Sequence, residues 1–75
     1  MNKERRKEIA SIIEELTSLQ ERITYVCDEE QEAYDNLPEG IQASAKGCQM
    51  EDNAGELSQA SDSVGDAIDI LSGIE

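Results

Sequence analysis

Apolar side chains recur along the first half of the chain in alternating steps of three and four: Ile9, Ile12, Leu16, Leu19, Ile23 and Val26, with Glu30 and Ala33 continuing the register. That spacing returns to one side of a helix every two turns and is a heptad seam. Ile13 widens the stripe at one end, toward the width that a bundle helix buries, and Glu30 interrupts it near the other. A second stretch repeats the pattern with smaller residues. Met50, Leu57, Val64 and Leu71 stand seven apart, with Ala54, Ala60, Ala67, Ile68 and Ile74 between them. Gly55 and Gly65 fall inside this second helix, where each costs about 1 kcal/mol relative to Ala. Either a neighbouring backbone passes close to them or the helix is ordered against a partner.

Between the two stretches lies YDNLPEGIQASAKG, Tyr34 to Gly47, with the only proline of the chain. Asn36 tolerates the left-handed conformation that ends many helices, while Pro38 holds Leu37 extended and favours the start of a new turn. A single helical turn from Pro38 to about Gln42 would aim Leu37 and Ile41 over the open end of a hairpin as an apolar lid. A flexible hinge or recognition loop is the alternative. Ser44 is a candidate N-cap for the second helix, although Gly47 stands where a capping box carries Glu or Gln. The expectation is one all-α domain: a helix over about residues 3–35, a structured Pro-containing turn over 36–43, and a helix over about 44–73, folded as an antiparallel hairpin.

Charge agrees with that direction. Lys3, Arg5, Arg6 and Lys7 crowd the start of the first helix, and Asp66, Asp69 and Glu75 the end of the second, each cluster opposing its own helix dipole. A hairpin brings the two clusters together. One hairpin buries only the contact between its own helices, so two are expected to pair as a homodimeric four-helix bundle. Tyr25, expected to point outward, and Tyr34, flanking the seam, join Leu37 and Ile41 as candidate interface residues.

Composition narrows the function. The 75 residues include 18 Asp and Glu against 6 Lys and Arg, a net charge of −12 that repels nucleic-acid phosphates and anionic lipid and favours a basic protein partner. With no Phe, no Trp and two Tyr, the core must be built from aliphatic residues and is thin. The absence of histidine removes the commonest general base and the commonest transition-metal ligand. Cys27 and Cys48 are too few for a zinc site and lack its spacing, and they read as small buried or half-buried thiols. No calcium loop, phosphate loop or nucleophile elbow is present, so neither catalysis nor a cofactor is expected; at most, carboxylates clustered at Asp28, Glu29, Glu30 and Glu32 would hold a divalent cation weakly. The charged start of the chain and the lack of a long apolar run argue for a cytoplasmic protein.

The face opposite the seam carries the sharpest candidate. Its outermost positions are Glu14, Glu21, Asp28 and Asp35, every one acidic, with Glu15 and Glu29 beside them. At about 1.5 Å rise per residue this stripe repeats roughly every 10 Å, and flanking carboxylates fill the gaps, a spacing comparable to that of nucleic-acid phosphates. An outward helix face is ordinarily charged, but it ordinarily mixes both signs.

The stretch EEQEAYDNLPEGIQASAKG, followed by an acidic, Ala- and Ser-rich helix with AIDIL, resembles short acidic helical-hairpin proteins of bacteriophages and other mobile elements. The likeness covers most of the chain and centres on Tyr34 to Gln42 and Ser44. Gly47 and Cys48 depart from it, standing where such sequences more often carry helix-forming charged residues. The resemblance implies a setting in the bacterial host cytoplasm, where a small protein of this kind acts stoichiometrically on a host protein. The expected function is a non-enzymatic counter-defence inhibitor whose acidic face takes the place of nucleic acid in a basic channel. An oligomeric sponge for a nucleotide signal is the alternative, with Lys3, Arg5, Arg6, Lys7, Lys46 and above all Arg22 as anion contacts. A structural or adaptor bundle is the third reading.

Overall fold

The structure, a computed structural model, describes all 75 residues. Three helices follow in order: α1, Lys3–Asp35; α2, Glu39–Gln42; and α3, Ala45–Ser72. The two long helices lie side by side as a rod with Cα extents of 58 × 14 × 12 Å. Capping explains where they begin. Asn2 accepts a hydrogen bond from the Arg5 amide at 2.8 Å, and the Ser44 hydroxyl accepts one from the Gly47 amide at 3.3 Å. Each satisfies a backbone donor that the first helical turn leaves open.

The reversal between them is tight. α1 ends at Asn36, whose backbone keeps φ −83° and donates to the Glu32 carbonyl at 3.0 Å, while the next amide, Leu37, donates to the Tyr34 carbonyl at 3.0 Å. No residue of the chain has a positive φ, so the left-handed ending expected at Asn36 is not used. The Gln42 side chain instead reaches back to the Tyr34 carbonyl at 3.1 Å and fastens α2 to the end of α1. Leu37 is half-buried by this arrangement, whereas Ile41 stays 45% exposed and does not close over the hairpin.

Packing departs from the seam as the sequence presents it. The half-buried residues of α1 are Ile9, Leu16, Ile23 and Glu30 on one line, and Ile13, Gln20, Cys27 and Tyr34 on the next. The other half of the expected seam is outside: Ile12, Leu19 and Val26 are 37, 44 and 48% exposed. α1 is therefore rotated so that Gln20 and Cys27, not Leu19 and Val26, meet α3. The reason lies in α3, which presents Gly47, Met50, Ala54, Leu57, Ser61, Val64 and Ile68. Ser61 and the Ala54 carbonyl offer hydrogen bonds that only polar partners can use: the Gln20 amide donates to the Ser61 carbonyl at 3.0 Å, Thr24 and Ser61 share a hydroxyl bond at 2.9 Å, and the Cys27 thiol donates to the Ala54 carbonyl at 3.3 Å. Only Gly47 and Ala54 are fully buried.

Gly47 is required by this contact. A Cβ at that position would fall onto the Gln42 and Ile41 carbonyls, so α3 starts directly against the end of α2. Gly65 has the Gln20 side-chain amide 2.7 Å from where its Cβ would be, so what approaches it is a side chain and not the neighbouring backbone expected there. Gly55 has open space around it and no packing reason.

Candidate interaction surfaces

The rotation of α1 divides the rod lengthwise into two unlike sides. One is polar. Thr24, Cys27 and Asp28 of α1 line a shallow cleft with Ser58, Ser61 and Asp62 of α3, and Thr24, Cys27 and Ser61 of that lining take part in hydrogen bonds between the helices. The other is apolar: Leu16, Leu19, Ile23 and Val26 form an open groove of about 370 Å³ with Leu57 and Val64. Arg22 is the one charged residue lining that groove.

The acidic stripe is where a helix of this pitch puts it. Glu14, Glu15, Glu21, Asp28, Glu29 and Asp35 are all exposed on a single uninterrupted helix. From Glu14 to Asp35 the stripe spans roughly 30 Å at a rise of 1.5 Å per residue. With the rotation, Glu14, Glu21 and Asp28 fall toward the polar side of the rod, and Asp28 and Asp62 both line its cleft. Ser11, Ser18 and Tyr25 occupy the crest farthest from α3, with Tyr25 66% exposed.

Carboxylates do not gather into a metal site. No group of three or more acidic or sulfur ligands converges anywhere, and the expected weak cluster at Asp28, Glu29, Glu30 and Glu32 is dispersed, because successive residues point around the helix. Glu30 turns inward and accepts from the Asn53 amide at 3.4 Å. The cysteines are separate free thiols: Cys27 is half-buried against α3, but Cys48 is exposed rather than buried or half-buried as expected, because it lies on the outward side of the first turn of α3.

Four of the six cations, Lys3, Arg5, Arg6 and Lys7, crowd the start of α1, and the other two lie well apart from them. Arg6 lines a cavity at the end of the rod with Ile9, Ile13 and Leu71, where the start of α1 meets the end of α3, and its Nε donates to the Met1 carbonyl at 3.4 Å. Arg22 lies midway along the groove, and Lys46 belongs to the first turn of α3 at the opposite end of the rod from Arg6. A single chain thus presents one cation at a time to any cavity.

Of the remaining candidates, Tyr34 is packed into the hairpin. A hydrogen bond with the Glu51 carboxylate, partial burial and the negative charge of Glu51 hold its phenol above the usual value of 10.0. Ile70, which sequence reasoning passed over, is 70% exposed on the outer surface of α3. Neither helix is long and apolar enough to cross a membrane. No protein family, curated protein or solved structure matches this chain.

Proposed function

We propose that this protein acts without catalysis, as a phage or mobile-element product that binds a basic surface of a bacterial host protein in the cytoplasm and keeps nucleic acid from it, so countering a host defence. The observation that carries the reading is the exposed run of six carboxylates on one straight helix, with a net charge of −12 behind it. A rigid anionic ridge needs no ordering when it docks, and its field speeds encounter with a cationic channel. The sponge reading is weaker, because Arg22 and Lys46 lie apart from the four cations at the start of α1 and no cavity is lined by more than one cation.

The test uses the protein immobilised on a support and challenged with bacterial lysate. A partner is expected that elutes with added duplex DNA, and whose retention disappears when Glu14, Glu21 and Asp28 are all replaced by Lys, while circular dichroism shows the helices intact. Retention indifferent both to DNA and to the triple reversal would overturn the acidic-face reading.

A further inference from the structure

The apolar groove has no occupant within the chain, and the dimensions of the molecule say how much cover is missing. A compact monomer of 8.2 kDa exposes about 4,500 Å², whereas this one exposes 5618 Å², about 1,100 Å² more. Its radius of gyration is 17.2 Å, against roughly 11 Å for a compact chain of this length. A stable interface of standard size takes about 800 Å² from each partner. The elongated rod thus carries surface beyond that of a compact monomer by more than the roughly 800 Å² that one protomer of a standard dimer buries, and its apolar part is concentrated at this groove.

The side chains bordering the groove indicate the occupant. Ile12, Leu19 and Val26 stand seven apart, so Leu19 is the centre of a symmetric row. Beside that row runs a second, Glu8, Glu15, Arg22 and Glu29, in which Arg22 is the single base. Arg22 has no helical ion pair available: the residues three and four away are Ser18, Leu19, Tyr25 and Val26, none of them acidic. An antiparallel second copy of α1, with Leu19 on the two-fold axis, sets Ile12 against Val26 of the other copy. It also brings Arg22 to Glu15 of the other copy, twice by symmetry. Glu8 and Glu29 meet only at the margins, where solvent screens them.

We infer that the groove formed by Leu16, Leu19, Ile23, Val26, Leu57 and Val64 is an isologous dimer interface, closed by α1 of a second copy running antiparallel and locked in register by reciprocal Glu15–Arg22 pairs. α1 then has two working faces, one for α3 and one for its own copy, as helices of a four-helix bundle do. This specifies the homodimer expected from the sequence; it draws Glu15 and Glu29 to the dimer contact and leaves Glu14, Glu21, Asp28 and Asp35 to the acidic face. It excludes Tyr25 and Ile41 from the dimer contact.

Light scattering during size-exclusion chromatography, with sedimentation equilibrium for the dissociation constant, tests it on the whole chain. Wild type is expected at twice the 8.2 kDa chain mass. Leu19→Glu is expected at the monomer mass with its helical circular dichroism retained, since Leu19 is 44% exposed in the single hairpin. Glu15→Arg and Arg22→Glu should each weaken the dimer at least tenfold, and the double exchange should restore most of the affinity, because only an antiparallel register returns the pair with its signs reversed. A wild-type monomer at high micromolar concentration would overturn the dimer itself and leave the groove to a different protein. A dimer that survives Leu19→Glu, or a double exchange that fails to restore affinity, would overturn this face or this register.

Discussion

Glycines at three positions do three different things, and substitution by alanine separates them. At Gly47 the methyl group would meet backbone carbonyls that cannot yield without moving α2, so Gly47→Ala is expected to destabilise by about 1–3 kcal/mol. At Gly55 nothing lies within 4 Å, and Gly55→Ala should stabilise by up to about 1 kcal/mol through helix propensity alone. Gly65→Ala falls between, because the atom in the way is the end of the flexible Gln20 side chain. Urea denaturation of the three variants reads the order directly; equal effects at Gly47 and Gly55 would refute the packing argument. Tyr34 offers a second residue-scale outcome. Its phenol is held protonated in the fold above its ordinary value of 10.0, so the unfolded chain loses that proton first as pH rises. The contribution of Tyr34 is complete below pH 10 and is lost as pH climbs through the folded value. Stability measured from pH 9 upward should fall less steeply in Tyr34→Phe than in wild type.

At the scale of the helix, periodicity makes the existence of α1 and α3 legible, and the short Pro-containing turn between them sets the two long helices antiparallel. It does not say which edge of a wide stripe faces the neighbour. Leu19 and Val26 score as seam by hydropathy; Gln20 and Cys27 do not, yet they are the ones that meet α3. The signal that could have found them lies in the other helix: Ser61 and Gly65 stand on the inward side of α3, where a long aliphatic partner finds no matching apolar surface but an amide finds a carbonyl. Gln20→Ala is accordingly expected to cost about 0.5–1.5 kcal/mol, the net worth of one such hydrogen bond. In a double-mutant cycle with Thr24→Ala the two losses should couple through Ser61, which both side chains engage. Strict additivity would mean that the polar side of the hairpin is not a connected network. Helix ends show the same division. Asn2 and Ser44 are recognisable caps, while the ordinary right-handed geometry at Asn36 was set by the Gln42 amide reaching back across the turn.

For the whole molecule, charge and thinness act together. Twelve net negative charges are carried on a rod only two helices wide, with Cα extents of 14 × 12 Å across its axis, so little protein separates the carboxylates of opposite sides. Screening lengths shrink from about 30 Å at 0.01 M salt to about 3 Å at 1 M. The melting temperature should therefore rise with sodium chloride over that range. A melting temperature that falls would mean that attraction between the basic start of α1 and the acidic end of α3 outweighs the general repulsion. A thin rod also leaves little core to absorb damage, since nothing larger than Ala54 is fully buried.

What the sequence determined by itself is the pair of helices, the acidic stripe from Glu14 to Asp35 and the absence of histidine chemistry, because each depends only on residue type and on spacing along one helix. The tertiary structure alone decided the rotation of α1 about its axis. That rotation depends on how hydrogen-bonding groups and small residues of α3 match those of α1, a relation between positions about 40 residues apart, such as Gln20 and Ser61, that no local pattern encodes. It is also what turns a single expected seam into a polar contact inside the hairpin and an apolar groove outside it.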